Sequence, residues 1–347
     1  MMEHLQATLK QIKPLNKEIM AKAQQKIDLL SKPLGSLGYL ENLCVQLAGI
    51  YESVSFEIEE KTVVAFAGDH GVYEEGVAAD PQWITKAQIP NFASGICAVG
   101  TLAKYMKAKV IAVDVGVNCE EKLEGVLDYK IRKGTSNMHK GPAMSREEAI
   151  KCLEVGIEVA TKAIEEGSRV LAIGEMGIAN TTPSSAIISV FASCDPTEVT
   201  GRGAGLAPEK VVHKANIIRE AIALNNPDKE DAIDVLMKVG GFEIGAMAGA
   251  ILGAAAHRVP VILDGFISYA AALLAKNLHE EATSYMIASH YSAEPGTIKA
   301  LELLDLKAIL HLDMRLGEGS GGILLFPLLD TANYLYENMA TREASNC

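Results

Sequence analysis

Short apolar runs alternate with longer helical stretches along most of the chain. Runs rich in β-branched residues predict five strands, at 62–67 (TVVAFA), 109–115 (KVIAVDV), 169–173 (RVLAI), 259–263 (VPVIL) and 308–313 (AILHLD), with a weaker one at 128–132. Because the five runs are apolar at nearly every position, we expect the sheet to be buried on both faces. The alternation predicts an α/β fold with a doubly wound, mostly parallel sheet and helices on both faces.

Helical patterns fill the intervals between these runs, at 94–107, 145–166, 208–224, 228–239, 243–257, 267–275 and 296–304. The second of them opens with Ser-Arg-Glu-Glu, which predicts a capping box in which Ser145 and Glu148 satisfy each other's free backbone N–H groups. Both chain ends, 5–49 and 322–339, show helical patterns without strands. We therefore expect a smaller helical domain built from residues 1–55 and 330–347, beside a large α/β domain over residues 56–329.

Composition and charge exclude several classes of protein. A chain of 347 residues with 49% hydrophobic residues can bury a full core, which excludes disorder. Its 32 lysines and arginines against 44 aspartates and glutamates give a formal charge of −12, so nucleic acid and anionic membranes are poor partners. The most apolar stretch, 248–275, is interrupted by charged residues and proline, and residues 1–18 lack the apolar core of a secretion signal. We expect a cytoplasmic protein that does not span a membrane.

Cysteine and histidine patterns give no support to a bound metal or cofactor. The sequence holds no C-x-x-C pair, and its eight histidines are scattered without metal-binding spacing. We expect neither a metal nor a cofactor. Reduced thiols are expected for the six cysteines, Cys44, Cys97, Cys119, Cys152, Cys194 and Cys347.

Glycines with polar neighbours follow every one of the five main predicted strands. The segments are GDHG (68–71), GVN (116–118), GEMG (174–177), DG (264–265) and MRLGEGSGG (314–322). Turns between strands and helices use glycine for positive φ in any case, but five strands ending this way favour a ligand site. In an open α/β sheet that site lies at the carboxyl edge, where helix N-termini point backbone N–H groups at anions.

Two glycine patterns bear on the class of ligand. The G-x-G-x-x-G pattern at 317–322 matches the dinucleotide fingerprint, but no strand follows it and the chain ends before an acidic residue could bind the ribose. A nicotinamide-dependent dehydrogenase is therefore disfavoured, and no G-x-x-x-x-G-K-[ST] motif of nucleoside triphosphate enzymes occurs. The TGRGAG segment (200–205) precedes the helix that carries Lys214. Either this segment forms a phosphate site together with Arg315, or it is a surface turn with a solvated lysine.

Two glutamates stand in glycine-rich loops at the predicted sheet edge. Glu318 lies between Gly317 and Gly319, and Glu175 lies in the sequence Gly-Glu-Met-Gly that ends at Gly177. A glutamate in such a loop is more often a solvated side chain when taken alone. Two of them at one edge, beside a phosphate site, favour general-base chemistry on a nucleotide.

Seven segments carry a family resemblance. They are GDHGV (68–72), GTSNMHKGPAMS (134–145), GEMGIANTTPSSA (174–186), TGRGAGL (200–206), GGFEIGAMAGA (240–250), DGFI (264–267) and RLGEGSGG (315–322). Together with PLGSLG (33–38), they resemble the nicotinate mononucleotide:5,6-dimethylbenzimidazole phosphoribosyltransferases, which build the lower-ligand nucleotide of cobalamin. The resemblance covers nearly the whole chain. It implies a doubly wound parallel sheet, a small helical domain from both termini, and a homodimer.

The resemblance also implies a reaction and a set of site residues. Phosphoribose would pass from nicotinate mononucleotide to 5,6-dimethylbenzimidazole, releasing nicotinate and forming α-ribazole 5′-phosphate. Glu318 would accept the benzimidazole N–H proton, Glu175 would be a second carboxylate near the reacting centre, and Gln88 would line the base pocket. Phosphate and ribose would be held by Lys214, Arg315, Ser292, Gly177, Gly203 and Gly265.

Alternatives stay open at this stage. A related phosphoribosyltransferase could use a phenol, adenine or another benzimidazole as the acceptor base, and a non-catalytic nucleotide-binding module could share the fold. The base pocket of an enzyme must be flat and apolar, with the carboxylate at its far wall. Candidates for its apolar walls are Ile84, Met176, Ile178 and Leu316.

Overall fold

A six-stranded parallel sheet organises the protein. The structure, a computed structural model, describes residues 2–345. Its strands are β1 (Lys61–Gly68), β2 (Lys109–Gly116), β3 (Val126–Asp128), β4 (Val170–Met176), β5 (Val261–Leu263) and β6 (Met286–Ala288). They lie in the order β3-β2-β1-β4-β5-β6, and all neighbouring pairs are parallel. Because strand order reverses between β1 and β4, a crevice is expected at their carboxyl ends.

Helices connect and flank the strands. In chain order they are α1 (Met2–Gln11), α2 (Lys17–Asp28), α3 (Tyr39–Tyr51), α4 (Trp83–Ser94), α5 (Ala98–Met106), α6 (Arg146–Glu165), α7 (Thr181–Ala192), α8 (Pro208–Asn225), α9 (Ala232–Val239), α10 (Phe242–Ala256), α11 (Phe266–Leu278), α12 (Gly296–Leu304), α13 (Ser320–Ile323) and α14 (Phe326–Asn338). Short 3₁₀ turns lie at Gly71–Glu75, Pro196–Glu198 and Glu280–Tyr285. No helix within the described residues is long and apolar enough to cross a membrane.

Each face of the sheet is buried under its own layer of helices. Along β1, Val64 and Phe66 point into a core shared with α6 and α10, whereas Val63 and Ala65 point into one shared with α3 and α14. All eight residues of β1 are buried. The prediction of a doubly wound parallel sheet with helices on both faces is therefore confirmed. The predicted strands are apolar at nearly every position because helices cover both faces of the sheet.

Two strand predictions were wrong. Residues 308–313 do not form a strand, because Leu310 makes only one isolated bridge, to His290, and residues 311–313 are exposed. The sixth strand is instead β6, whose three buried residues were too short a run to stand out. The weak strand predicted at 128–132 is displaced to β3, which shares only Asp128 with it.

Most predicted helices are present, and their differences have local causes. The capping box of α6 is confirmed, since the Ser145 Oγ accepts from the Glu148 N–H at 3.1 Å and the Glu148 carboxylate accepts from the Ser145 N–H at 2.8 Å. The helix predicted at 94–107 is α5, which begins only at Ala98, because Gly95, with φ of +74°, ends the preceding helix α4. Helices α4 and α7 were not predicted.

The two ends of the described chain lie side by side. Helices α2, α3 and α14 share one apolar cluster. Lys26 forms a salt bridge with Glu337 at 2.8 Å, and Leu30 forms an isolated bridge with Thr341. Helix α1 packs on α6 and α10 of the sheet layer instead. The division into domains of residues 1–55 with 330–347 and of residues 56–329 stays a prediction.

The described cysteines carry no disulfide. Cys44, Cys97, Cys119, Cys152 and Cys194 are free. The reduced thiol expected at Cys347 lies outside the described residues. Burial raises the pKa of Cys152 and Cys44, which makes both thiols inert at neutral pH.

Candidate active site

A cavity of about 270 Å³ opens at the carboxyl edge of the sheet, where the loops after β1, β4, β5 and β6 converge. Eight of the predicted site residues lie in its wall: Gln88, Glu175, Gly177, Gly203, Gly265, Ser292, Arg315 and Glu318. The apolar candidates are there too: Ile84, Met176, Ile178 and Leu316. Lys214 is the one predicted site residue that does not line the cavity.

Glu318 stands on a tight loop and is held from two sides. It is 5% exposed, so it is buried in the wall rather than bare in solvent. Its Oε1 accepts from the Gln88 Nε2 at 2.7 Å, and its Oε2 accepts from the Val99 N–H at 3.4 Å, in the first turn of α5. Asn91 fixes the Gln88 amide by donating to its oxygen at 3.0 Å. The carboxylate therefore has a set direction while each oxygen keeps a free lone pair.

Glu175 ends β4 and faces the same cavity. It is 6% exposed, and its Oε2 accepts a short hydrogen bond from the Asn180 side chain. Burial raises the pKa of Glu175 to about 8, and the neighbouring carboxylate of Asp264 adds to the shift. At neutral pH the Glu175 carboxyl is therefore mostly protonated.

Asp264 was not predicted as a site residue, although it follows the predicted strand at 259–263. It is 3% exposed and lies in the cavity wall. Its carboxylate accepts from the backbone N–H groups of Gly319, Gly321 and Gly322 at 3.0, 2.6 and 3.0 Å. Burial raises the pKa of Asp264 to about 7 in spite of these hydrogen bonds.

The glycine loop at 201–205 lies beside the cavity, with Lys214 behind it. The Lys214 ammonium donates to the Thr181 hydroxyl at 2.6 Å and is 1% exposed, so the alternative of a solvated lysine is wrong. Burial lowers the pKa of Lys214 to about 8. Glu294, which was not predicted, accepts from the Gly203 N–H at 2.8 Å. From the other side, Arg315 donates to the Gly203 carbonyl at 3.4 Å.

The sequence and fold match those of known phosphoribosyltransferases. The family model DBI_PRT, described as Phosphoribosyltransferase, matches residues 12–347. The chain belongs to this family. It is 59% identical over 340 residues to the nicotinate-nucleotide–dimethylbenzimidazole phosphoribosyltransferase of Clostridioides difficile (strain 630), and the match covers 98% of each chain. The protein of the same name from Alkaliphilus metalliredigens (strain QYMF) is 52% identical over 345 residues, covering 99% of this chain and 98% of that one.

A solved structure of the family has the same fold. The crystal structure of CobT from Thermus thermophilus superposes with a TM-score of 0.90 at 39% sequence identity. The match covers 95% of this chain and 98% of that one. Membership of the family confirms the resemblance drawn from the seven segments, and the superposition confirms the predicted fold class.

Two family segments, GDHGV and GGFEIGAMAGA, meet behind the cavity. The His70 Nε2 lies 2.8 Å from the Glu243 Oε1, and both side chains are almost completely buried. Burial disfavours the charged imidazole, but the carboxylates of Glu243 and Asp69 together outweigh burial and raise the pKa of His70. A Cβ atom at Gly177 would lie 3.2 Å from the His70 Nε2, so this ion pair backs the cavity floor directly.

The side chains of the described residues form no cluster suited to a metal. Within residues 2–345, no group of three or more histidine, cysteine, aspartate or glutamate side chains is arranged to hold an ion. The polar groups that line the cavity are carboxylates, amides, hydroxyls, an imidazole and guanidinium groups.

Proposed function

We propose that this phosphoribosyltransferase moves phosphoribose from nicotinate mononucleotide to 5,6-dimethylbenzimidazole, giving nicotinate and α-ribazole 5′-phosphate for the cobalamin lower ligand. Relatives named for this reaction share up to 59% of the sequence over nearly the whole chain. The observation that carries the proposal is the Glu318 carboxylate, buried in the cavity wall and oriented by Gln88 and Val99. A buried, oriented carboxylate in the cavity wall supports the proposal, because a proton acceptor must lie within hydrogen-bond reach of the proton that it removes.

The proposed reaction needs one proton acceptor and no acid. The pyridinium nitrogen of nicotinate mononucleotide already bears positive charge, so its bond to C1′ breaks with the electron pair going to the ring, and nicotinate leaves. One benzimidazole nitrogen forms the new bond to C1′, and positive charge builds on that ring. The opposite N–H becomes acidic, and Glu318 takes its proton. General-base assistance of this kind contributes about 10²–10⁴-fold to rate.

The stereochemistry requires two subsites. A β-nucleotide becomes an α-product when the base attacks from the face opposite the leaving group, so base and nicotinate occupy opposite sides of the ribose. We assign the base to the side of Glu318, Gln88 and the apolar wall that includes Ile84 and Met176. Phosphate and ribose are assigned to the side formed by Lys214, Arg315, Ser292, Gly177, Gly203 and Gly265.

Glu175 is proposed to act electrostatically on the reacting centre. An ionised carboxylate stabilises the oxocarbenium-like transition state, in which C1′ carries positive charge. Because burial raises the pKa of Glu175 to about 8, this contribution grows as the pH approaches and passes 8.

We further propose that the enzyme acts as a cytoplasmic homodimer. Support for the homodimer comes from the family resemblance, and the free cysteines fit a reducing compartment. Analytical ultracentrifugation at micromolar concentration tests the homodimer: a species of twice the chain mass of 37.0 kDa is expected, and a monomer contradicts it.

Release of nicotinate measured by chromatography tests the proposed reaction. The protein is incubated with nicotinate mononucleotide, with and without 5,6-dimethylbenzimidazole, and both nicotinate and the new nucleotide are quantified. Equal amounts of the two products, formed only when the base is present, are expected. Binding without release would indicate a nucleotide-binding module. Preference for adenine or a phenol in a competition among bases would indicate the related transferase.

A further inference from the structure

The loop that carries Glu318 has a strained backbone. Gly317, Glu318 and Gly319 lie in the left-handed region, with φ of +89°, +66° and +88°. For a residue with a Cβ, this conformation costs about 1–2 kcal/mol. The loop's own hydrogen bonds lie on the flanking glycines: the Gly317 carbonyl accepts from the Ser320 N–H at 3.0 Å, and the Gly319 carbonyl accepts from the Ile323 N–H at 3.0 Å. Among the described residues none of these backbone bonds is made by Glu318, so the direction of its side chain also depends on contacts from outside the loop.

Asp264 supplies those contacts from the end of β5. Its Oδ2 accepts from the N–H of Gly319, the residue directly after Glu318, at 3.0 Å. Its Oδ1 accepts from Gly321 at 2.6 Å and Gly322 at 3.0 Å. One side chain thus binds three of the four backbone N–H groups that follow Glu318. One carboxylate oxygen accepts from the N–H next to Glu318, and the other accepts from the two N–H groups in α13.

The charge of the Asp264 carboxylate is costly for the fold. Asp264 forms no salt bridge with a lysine or arginine among the described residues, and Glu175 and Glu318 are close enough to repel its charge. An unpaired buried carboxylate normally destabilises a protein. Asparagine has nearly the same shape, but its amide would present a donor to one of the N–H groups. Only a carboxylate has two oxygens that can both accept hydrogen bonds from these backbone N–H groups.

We propose that Asp264 is a positioning residue for the proton acceptor, holding the Glu318 loop in its strained conformation through the Gly319 N–H. This inference rests on the proposed role of Glu318. Asp264 acts through Glu318 rather than on the proton, so its removal affects the chemical step only while Glu318 is present. Misplacement of a catalytic group by about 1 Å can cost about 10²-fold in rate.

The test is a double-mutant cycle of Asp264→Asn and Glu318→Gln, with kcat measured for each. In Asp264→Asn the amide oxygen can still accept from Gly321 and Gly322, so the bond next to Glu318 is the one lost. We expect kcat to fall about 10- to 100-fold, with KM for nicotinate mononucleotide changed less than about threefold. The double variant should be no slower than Glu318→Gln within about twofold, because the two residues act as a unit.

Asp114→Asn is the matched control. Asp114 is also a buried aspartate at a strand end, and it accepts from the N–H groups of Gly116 and Val117 at 3.0 and 2.8 Å, but its loop does not carry Glu318. It should retain kcat within about twofold even if its midpoint of thermal unfolding falls. Should Asp264→Asn not fold, Asp264→Ser takes its place, because a hydroxyl and a water can occupy the carboxylate volume.

The outcomes separate two failures. Wild-type kcat in the folded Asp264 variant, or losses that simply multiply in the double variant, would overturn the positioning role of Asp264 alone. Wild-type kcat in Glu318→Gln would overturn the proton-acceptor role of Glu318, and the positioning role with it. A loss in Asp264→Asn matched by an equal loss in Asp114→Asn would overturn the positioning role by assigning the effect to general destabilisation.

Discussion

The two halves of the sheet's carboxyl edge differ in how their buried acids are paired. On the side of β1 and β2, two acids have a cationic partner: Asp114 lies 3.2 Å from the Lys130 ammonium, and Glu243 lies 2.8 Å from the His70 ring. The third, Asp69, accepts from the Asn118 N–H at 2.8 Å. These groups are held by their partners, and Asp114, Lys130 and Glu243 lie outside the cavity wall.

The side of β4 and β5 buries three acids without a cation. Glu175, Asp264 and Glu318 all lie in the cavity wall and are at most 6% exposed. Burial and mutual repulsion raise the pKa of Glu175 to about 8 and that of Asp264 to about 7. Unpaired buried carboxylates lower stability, so their concentration at one end of two strands indicates function. The paired half stabilises the edge, and the unpaired half lines the cavity.

The largest effect is expected for Glu318→Gln. Glutamine keeps the volume and can still accept from Gln88, so the fold and the binding of nicotinate mononucleotide should persist. Because glutamine cannot take a proton, kcat should fall at least about 100-fold. Steady-state turnover and calorimetric titration with nicotinate mononucleotide measure the two quantities. Turnover close to that of the wild type would show that Glu318 does not take part in the reaction. The three unpaired acids would then no longer indicate a catalytic site.

Lys214→Ala tests the cation assigned to the phosphate. A charged hydrogen bond contributes about 1.5–3 kcal/mol, so KM for nicotinate mononucleotide should rise about 10- to 100-fold while kcat changes less. Since burial lowers the pKa of Lys214 to about 8, the wild-type KM should also rise above pH 8 as the ammonium loses its proton. Initial rates at about pH 7 and about pH 9 measure both effects. An unchanged KM in the variant would place the phosphate elsewhere.

The sequence predicted which charged residues lie at the carboxyl edge of the sheet better than it predicted their burial and hydrogen-bond partners. Four of the five glycine-ended strand predictions located the edge, because burial on both faces and strand-end turns leave local patterns. Lys214 was assigned to the phosphate side, but its burial beside Thr181 could not be predicted, because it depends on how α7 and α8 pack. Asp264 was overlooked because its partners lie 55 to 58 positions further along the chain, and no local pattern records such a contact.

Helix α7 and strand β6 were also missed because packing against residues distant in the sequence stabilises them. Helix α7 begins Thr-Thr-Pro-Ser-Ser, a composition with weak helix propensity, and its twelve residues are stabilised by burial against α11 and α12. Strand β6 has three residues and pairs only with β5. Its omission also hid Glu294, which follows that strand and approaches the glycine loop.

Glu175→Gln tests, through the pH dependence of kcat, whether the charge of this buried acid acts in the reaction. The wild-type kcat should rise about tenfold per pH unit below the pKa of about 8, as the Glu175 carboxylate ionises, and the variant should show a flat profile at a lower plateau. Measurement of kcat from about pH 6 to about pH 9 tests this. A wild-type profile that is flat, or one that the variant reproduces, would show that the Glu175 charge does not act on the transition state.

The same substitution changes the pH dependence of stability. The folded pKa of about 8 lies above the ordinary value of 4.5, so the native state holds the Glu175 proton more tightly than the unfolded chain does. This stabilisation is complete below about pH 4.5 and is lost as pH rises through 8, at about 1.4 kcal/mol per unit in between. Urea unfolding at about pH 5 and about pH 8 should show a smaller loss for Glu175→Gln than for the wild type. An equal loss would contradict the shift.

The smallest effect on activity is expected in the paired half, from Lys130→Met. Lys130 also donates to the Cys119 carbonyl at 2.7 Å and to the Cys119 Sγ at 3.3 Å, so the change removes three polar contacts and leaves Asp114 without its cation. We expect a loss of about 1–3 kcal/mol in the free energy of unfolding at about pH 7, with kcat within about twofold of the wild type. The loss should shrink at low pH, where Asp114 takes up a proton and no longer needs a counter-charge. Urea unfolding at about pH 5 and about pH 7 measures it, and a fall in kcat of about tenfold would show that the paired half takes part in the reaction.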